Sequence, residues 1–265
     1  MKIIAFDIGG KMAHFRKYYA NNTALSYTIP PRTTLMGLLA AMLGRDRDSY
    51  YHDLASDRLR IGVRILSPVK KTFHRVNYLS LKSIGDLMKD NLGDFTGAGG
   101  RIQTPFEIVS GYDLQTDFVR YRVYLAANIE GVEILEKLEK VLTSRQTVYN
   151  LTLGVANFSA SLGQVIEGEA ELNEPTDAYI PFHSAVPSLA VKSFFMDEDG
   201  FTMMSLEEEL LPLDFVKNEY RELRALGKFL FSTNGEPFLI QTKSPFYSVK
   251  FPNTEGVENI FFLEK

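Results

Sequence analysis

The sequence predicts an α+β fold, and three observations predict it. Apolar residues alternate with period two in several short stretches, they recur at helical spacing in two others, and the two patterns follow one another in a fixed order. Lys2 to Ile8 is a short apolar run of strand type, stopped by Gly9-Gly10. After a polar, aromatic stretch and Pro30-Pro31, Thr33 or Thr34 is the expected helix N-cap. Leu35, Leu38, Leu39 and Met42 then recur at helical spacing, with Gly37, Ala40 and Ala41 permitting close packing and Gly44 as the stop.

Leu59 to Leu66 alternates into a second strand, with Arg60 and Arg64 on one face. Residues 67–117 break the pattern and form a polar, glycine-bearing excursion. Phe118 to Ala126 alternates strictly, the clearest strand of the chain. Gly131 to Ser144 is amphipathic, with Leu135, Leu138 and Leu142 inward and Glu133, Glu136 and Lys137 outward. Val148 to Ser161 reads as a further strand region broken by Gly154. This βαββαβ order is the ferredoxin-like (RRM-related) arrangement, assigned to a domain over residues 1–165. Residues 166–265 are acidic and proline-punctuated, and predict a smaller β-rich region with one helix near Leu213–Leu226.

Composition narrows the functions. The 265 residues carry 45% hydrophobic and 23% charged side chains, enough to bury a core. No run is long and apolar enough for a membrane helix and no signal peptide is visible, so a soluble, cytoplasmic protein without a membrane partner is expected. The absence of cysteine removes disulfides and thiolate metal sites. The four histidines (His14, His52, His74, His183) are scattered, so neither metal nor other cofactor is expected. The net charge of −4 is unevenly spread. Residues 1–125 hold 18 Lys and Arg against 11 Asp and Glu, and the remainder holds 11 against 22. That asymmetry fits one face toward phosphate and another toward protein or solvent, although surface charge also drifts along ordinary chains.

The opening I-I-A-F-D-I-G-G is like the first strand of sugar-kinase ATPases, but Lys11 stands where those need Thr or Ser for phosphate. A strand ending in a glycine turn is the preferred reading. The strongest constellation runs from Lys11 to Gly44. Lys11, His14, Arg16 and Lys17 are interleaved with Phe15, Tyr18 and Tyr19, a mixture suited to phosphates and unstacked bases of single-stranded RNA. The helix start at Pro31-Arg32-Thr33-Thr34 adds free amides and a positive dipole end. Arg120 and Arg122 share a strand face with Phe118 and Tyr124, a second possible RNA platform or simply a solvated sheet face.

The segment F-R-K, then S-Y-x-x-P-P-x-T-T-x-x-G-L-L-x-A-x-L-G, resembles the N-terminal signature of the Cas-five family of CRISPR-associated proteins. T-P-F-E-I-V (Thr104–Val109) and N-L-T-L-G-V-A-N-F-S-A-S-L (Asn150–Leu162) sit where that family carries similar pieces, and the type I-B branch is the most similar. The resemblance is dense over residues 1–44, patchy over 100–165 and vague beyond. It implies a ferredoxin-like domain with a β-hairpin thumb, for which residues 67–117 are the candidate, bearing Lys70, Lys71, Arg75, Lys82, Lys89 and Arg101. It also implies a non-catalytic Cascade subunit that binds the 5′ handle of CRISPR RNA and caps the backbone filament in antiviral defence. Its partners would be the backbone and large subunits, with target DNA met through the guide.

On that reading Arg16, Lys17, Tyr27, Arg32 and Thr33 are the leading handle contacts, followed by His14 and Lys11, with Lys70, Lys71, Arg101, Arg120 and Arg122 completing the set. The type I-C branch cuts repeat RNA without metal, using a Tyr, a Lys and a His. Tyr27, Lys70 or Lys71, and His14 or His74 are the parts this chain offers to that alternative. The adjacent Lys-His pair is replaced by Gln103-Thr104-Pro105-Phe106-Glu107, so binding is expected rather than cutting.

Overall fold

The structure, a computed structural model, describes residues 1–20, 23–79, 101–195, 205–216, 222–252 and 256–264. It is a mixed α+β fold built mostly of strands. Strand β1 (Lys2–Gly10) leads through two short paired pieces, Phe15–Arg16 and Ser26–Tyr27, into helix α1 (Arg32–Met42). Strand β2 (Leu59–Ile65) follows, then a hairpin of β3 (Lys70–Leu79) and β4 (Arg101–Ser110). Strand β5 (Val119–Ala127), helix α2 (Val132–Ser144) and strand β6 (Ser161–Asn173) complete this part. Beyond them come β7 (Thr176–Phe182), β8 (Val191–Phe194), β9 (Leu206–Phe215), β10 (Leu223–Ser232), β11 (Phe238–Thr242), β12 (Phe246–Lys250) and β13 (Val257–Ile260).

Six strands form the central sheet in the order β13-β12-β6-β1-β5-β2, with every neighbour antiparallel. Strand alternation sorts its side chains. Register sets Ile4, Leu125 and Ile61 in one row, Phe6, Val123 and Val63 in the next, and Ile8, Tyr121 and Ile65 in a third. These rows are buried with Leu35, Leu39 and Met42 of α1 and Leu135, Leu138 and Leu142 of α2. Full burial of each such side chain contributes about 1.5–3 kcal/mol, which makes this face the main anchor of the fold.

The opposite face is also closed. Ile3, Ala5, Tyr124 and Ala126 are buried with Val249, Phe251, Ile260 and Phe262. The sheet curls until β13 lies over β2 and β5. Glu258 accepts hydrogen bonds from Arg64 (2.7 Å), Arg122 (3.2 Å) and Tyr124 (2.6 Å). The Leu263 amide donates to the Ile61 carbonyl at 2.8 Å. Gly62 permits this passage, since a Cβ there would stand 3.1 Å from the Phe261 carbonyl oxygen. The part of the expected RNA platform on β5 that carries Arg122 and Tyr124 is therefore core, because the chain folds back over it, while Phe118 and Arg120 stay exposed.

Four other expectations are corrected. The helix near Leu213–Leu226 is the hairpin β9–β10, whose buried residues Leu211, Leu213, Phe229 and Phe231 alternate with period two; residues 217–221 lie outside the described set. The domain boundary at 165/166 falls inside β6, and β12 and β13 return to the central sheet, so residues 166–265 do not form a separate layer. The α1 N-cap is Pro31 rather than a threonine, because its preset φ of −64° starts the helix and its carbonyl accepts the Thr34 and Leu35 amides. Residues 148–160 are irregular, joined to their surroundings by isolated bridges, and regular strand begins at Ser161.

The excursion of residues 67–117 is built on β3 and β4, paired from Lys70–Ser110 to Leu79–Arg101. Ten residues per strand give it a reach of about 30 Å. Residues 80–100, with Lys82 and Lys89, lie outside the described set.

Candidate nucleic-acid interface

A cleft of about 490 Å³ opens where the segment before α1 meets the first turn of that helix. His14, Phe15, Arg16 and Tyr18 form one wall, and Pro31, Thr33 and Thr34 form the floor. Asn150 to Thr152, Gly154 and Val155 form a second wall, and Tyr50, Tyr51 and Phe215 close the far side. Backbone contacts hold the walls together. The His14 amide donates to Leu153 O at 3.0 Å, and His14 bridges Gly154. Gly154 has φ of +92°, and a Cβ on it would meet the His14 carbonyl oxygen at 1.9 Å. Only glycine fits this closure.

The floor is electropositive by construction. Helix α1 carries no acidic residue of its own in its first turn, and the Asp214 and Glu264 carboxylates near its start are taken up by Arg32. The half-buried Thr33 and Thr34 set hydroxyls beside it. Arg16 is exposed, and its guanidinium donates to the Ala20 carbonyl at 3.2 Å, leaving its other N–H groups available to an anion. The rings of Tyr18, Tyr50 and Phe215 supply flat apolar surface around that charge. Such a site can hold a phosphate beside an unstacked base.

Of the residues expected from sequence, the cleft gathers His14, Arg16 and Thr33. His14 lies on the wall as a neutral group, 1% exposed. Its Nδ1–H donates to the Glu107 carbonyl at 2.7 Å, its ring stacks on Phe106 at 4.0 Å, and burial lowers its pKa. It is a structural ring rather than a phosphate cation.

Four other residues are corrected more sharply: Arg32, Lys71 and Arg122 because partners distant in sequence consume them, and Tyr27 because it is buried. Arg32 is fully buried. It donates to the carbonyls of Leu54 (2.9 Å) and Leu59 (2.7 Å) and pairs with Asp214 (3.4 Å) and Glu264. Tyr27 is 1% exposed, and burial pushes its hydroxyl pKa far up, out of the range of a general base. Lys71 pairs with Glu207 (2.9 Å) and Glu209 (3.1 Å). Burial opposes its charge, but the two carboxylates outweigh it and hold the pKa above the ordinary value. Arg122 is spent on Asp7 at 2.8 Å and on Glu258.

Lys17 is half-buried and shares Glu209, at 3.2 Å. Lys11 and Lys70 stay nearer to solvent at the base of the hairpin. Lys11 Nζ donates to Gln115 O (2.7 Å) over the Phe118 ring, and Lys70 Nζ donates to Tyr112 O (2.9 Å) over the Tyr112 ring. Arg120 is exposed near the start of β5, opposite Gly9 of β1. Arg101 closes the described hairpin opposite Leu79.

Sequence reasoning missed Tyr50, Tyr51, Asn150 and Phe215. The two tyrosines lie in a segment with no periodicity, and Phe215 belongs to the stretch that its apolar spacing disguised as a helix. Among the described residues, no group of three or more His, Asp or Glu is placed to hold a metal ion, and no helix is long and apolar enough to cross a membrane.

A strand-rich fold thus carries a projecting hairpin and a cleft at the signature segment. A family model described as CRISPR-associated protein (Cas_Cas5) matches residues 3–208, and the chain belongs to that family. Among solved structures it is similar to a CRISPR protein from Archaeoglobus fulgidus, with 16% identity, 98% of each chain covered and a TM-score of 0.56. It is also similar to a chain titled CRISPR RNA-guided surveillance complex, with 12% identity, 90% and 91% coverage and a TM-score of 0.46. No curated protein sequence matches the chain.

Proposed function

We propose that this chain is a non-catalytic subunit of a Cascade-type surveillance complex that holds the 5′ handle of CRISPR RNA in the cleft at the start of α1. It caps the backbone filament there in antiviral defence. The observation that carries the reading is the convergence of Arg16, Thr33 and the start of α1 in one ring-lined cleft, within a member of this family. The strand order β6-β1-β5-β2, with α1 and α2 on one face, supports the ferredoxin-like arrangement, and β3–β4 is suited to the thumb that interrupts guide–target pairing. The signature segment favours the type I-B branch. The partners are the first backbone subunit, the large subunit and, through the guide, target DNA, in the cytoplasm.

The ribonuclease alternative needs a Tyr, a Lys and a His converging on one phosphate. Tyr27 and His14 are buried, Lys71 is held by Glu207 and Glu209 and Lys70 donates to the Tyr112 carbonyl, which favours holding over cutting. The test mixes the protein with end-labelled repeat RNA in EDTA and runs native and denaturing gels. An intact, shifted RNA, weakened by Arg16→Ala, is expected. A discrete cut lost in His74→Ala would overturn the non-catalytic reading.

A further inference from the structure

The C-terminal residues that return over β2 wall a second cavity, of about 580 Å³, which shares no described lining residue with the cleft. Its interior is apolar: Leu213 of β9, Phe229 of β10, Phe261 and Phe262 line it and are buried. Its rim is open. Leu172, at the end of β6, and Leu189 line it too, yet stand 58% and 76% exposed. Large aliphatic side chains left in water beside a concave apolar surface mark a contact site rather than ordinary surface.

The polar groups of the cavity indicate what covers it. Glu264 is the only acid among the described lining residues, and it is consumed: it pairs with Arg32 and accepts the Ile61 amide at 3.0 Å. Arg60, half-buried, donates from Nε to Asn128 Oδ1 at 2.9 Å and from Nη1 to the Tyr247 hydroxyl. Those two contacts hold the guanidinium in place and leave Nη2 to donate elsewhere. Lys228 adds a second cation, whose exposed pairing with Glu208 at 3.6 Å is weak. An RNA strand would set its backbone against leucines and phenylalanines here, with little charge to hold it. A protein segment carrying an apolar side chain next to a carboxylate matches both halves of the cavity, the first for the hollow and the second for the fixed guanidinium.

We propose that this cavity is the docking site for a partner protein of the complex, which inserts an apolar side chain into the hollow against Leu189 and sets an adjacent carboxylate on Arg60. The docking site rests on the reading of this chain as a complex subunit, and adds a face and a recognition chemistry to it. Thr33 lines the cleft, whereas Glu264, the buried partner of the adjacent Arg32, lines the cavity. RNA and protein partner therefore occupy different cavities and can be held at once.

The test assembles the complex from co-expressed subunits with the photoreactive substitution Leu189→p-benzoylphenylalanine, irradiates it and maps the products by mass spectrometry. A cross-link to one segment of a partner subunit, with an apolar residue beside Asp or Glu, is expected. Leu189→Asp, at an exposed position, should keep the urea midpoint and the handle-RNA affinity of the isolated chain, and weaken capture of that subunit roughly tenfold. Arg60→Gln should weaken capture as well and make it less sensitive to salt. Cross-links to RNA or to a second copy of this chain, or a Leu189→Asp chain that captures its partner as well as wild type, would overturn the docking site and leave RNA holding intact. Loss of handle RNA with the cross-link retained would overturn RNA holding and support the docking site. A wild-type chain that binds handle RNA yet joins no complex would overturn the subunit reading and the docking site together.

Discussion

The cleft and the acid-lined junction beneath β9 draw on the same short stretch of sequence and use its cations in opposite ways. Arg16 is exposed at the cleft, whereas its neighbour Lys17 turns inward to Glu209. Thr33 faces the cleft, whereas Arg32 beside it is wholly buried between Asp214 and Glu264. Backbone periodicity sends adjacent side chains apart, and carboxylates distant in sequence hold Lys17 and Arg32. A cation with a buried acid as partner holds the fold together, and one without remains free to bind.

The sharpest way to break the comparison is Arg32→Ala. It strands two buried carboxylates and two carbonyls, and should destabilise the protein by about 3–5 kcal/mol in urea unfolding. An unchanged midpoint would mean that Arg32 is not structural. Glu209→Ala comes next. It releases Lys17, Lys71 and the Thr28 amide, and because the lysines are partly solvated the expected cost is about 2 kcal/mol. RNA affinity in that variant should hold or rise, since two cations become available.

Arg16→Ala should leave the urea midpoint within about 0.5 kcal/mol of wild type. It should weaken handle RNA roughly tenfold and reduce the salt dependence of binding by about one phosphate contact. A variant that loses stability instead would move Arg16 to the structural side of the comparison.

The smallest effect is in pH. Burial lowers the pKa of His14 and of His183, and for His183 the nearby Arg64 adds to it. His183 Nδ1 also accepts the Asn259 amide at 3.2 Å, which requires the unprotonated nitrogen. The unfolded chain therefore binds more protons than the folded one below the ordinary imidazole pKa of about 6.5. Their contribution is complete above that value and is lost as pH falls through it toward the depressed folded pKa. The melting temperature should drop between pH 7.5 and pH 5.5, and by less in His183→Asn. An equal drop in both proteins would remove His183 as a cause.

Much of the fold was legible because periodicity is local. The strand Phe118–Ala126 and the helix Gly131–Ser144 carry their patterns in ten or so residues, and both stand within a residue or two of where the spacing predicts them. The stretch around Leu213–Leu226 misled because its leucines fit both a period of two and a period near four; the partner strand, invisible locally, selects the first. The face of Arg122 and Tyr124 was read correctly as one face, but its occupant, Glu258 of β13, arrives 136 and 134 residues later. The cleft was half legible. Arg16, Thr33 and the helix start sit within one motif, while Tyr50, Asn150 and Phe215 reach it only through tertiary folding.

The return of residues 257–264 to strands made at the very beginning has a consequence for how this protein is born. Arg32 finds Glu264 across 232 positions, and Ile61 finds Leu263 across 202. During ribosomal synthesis the first sheet strands must wait, with one face bare and a guanidinium uncompensated, until nearly the whole of this length has emerged. Closure of that kind is slow, because distant ends must meet before any reward is collected. The interval before it is when the bare sheet face is most exposed to wrong contacts.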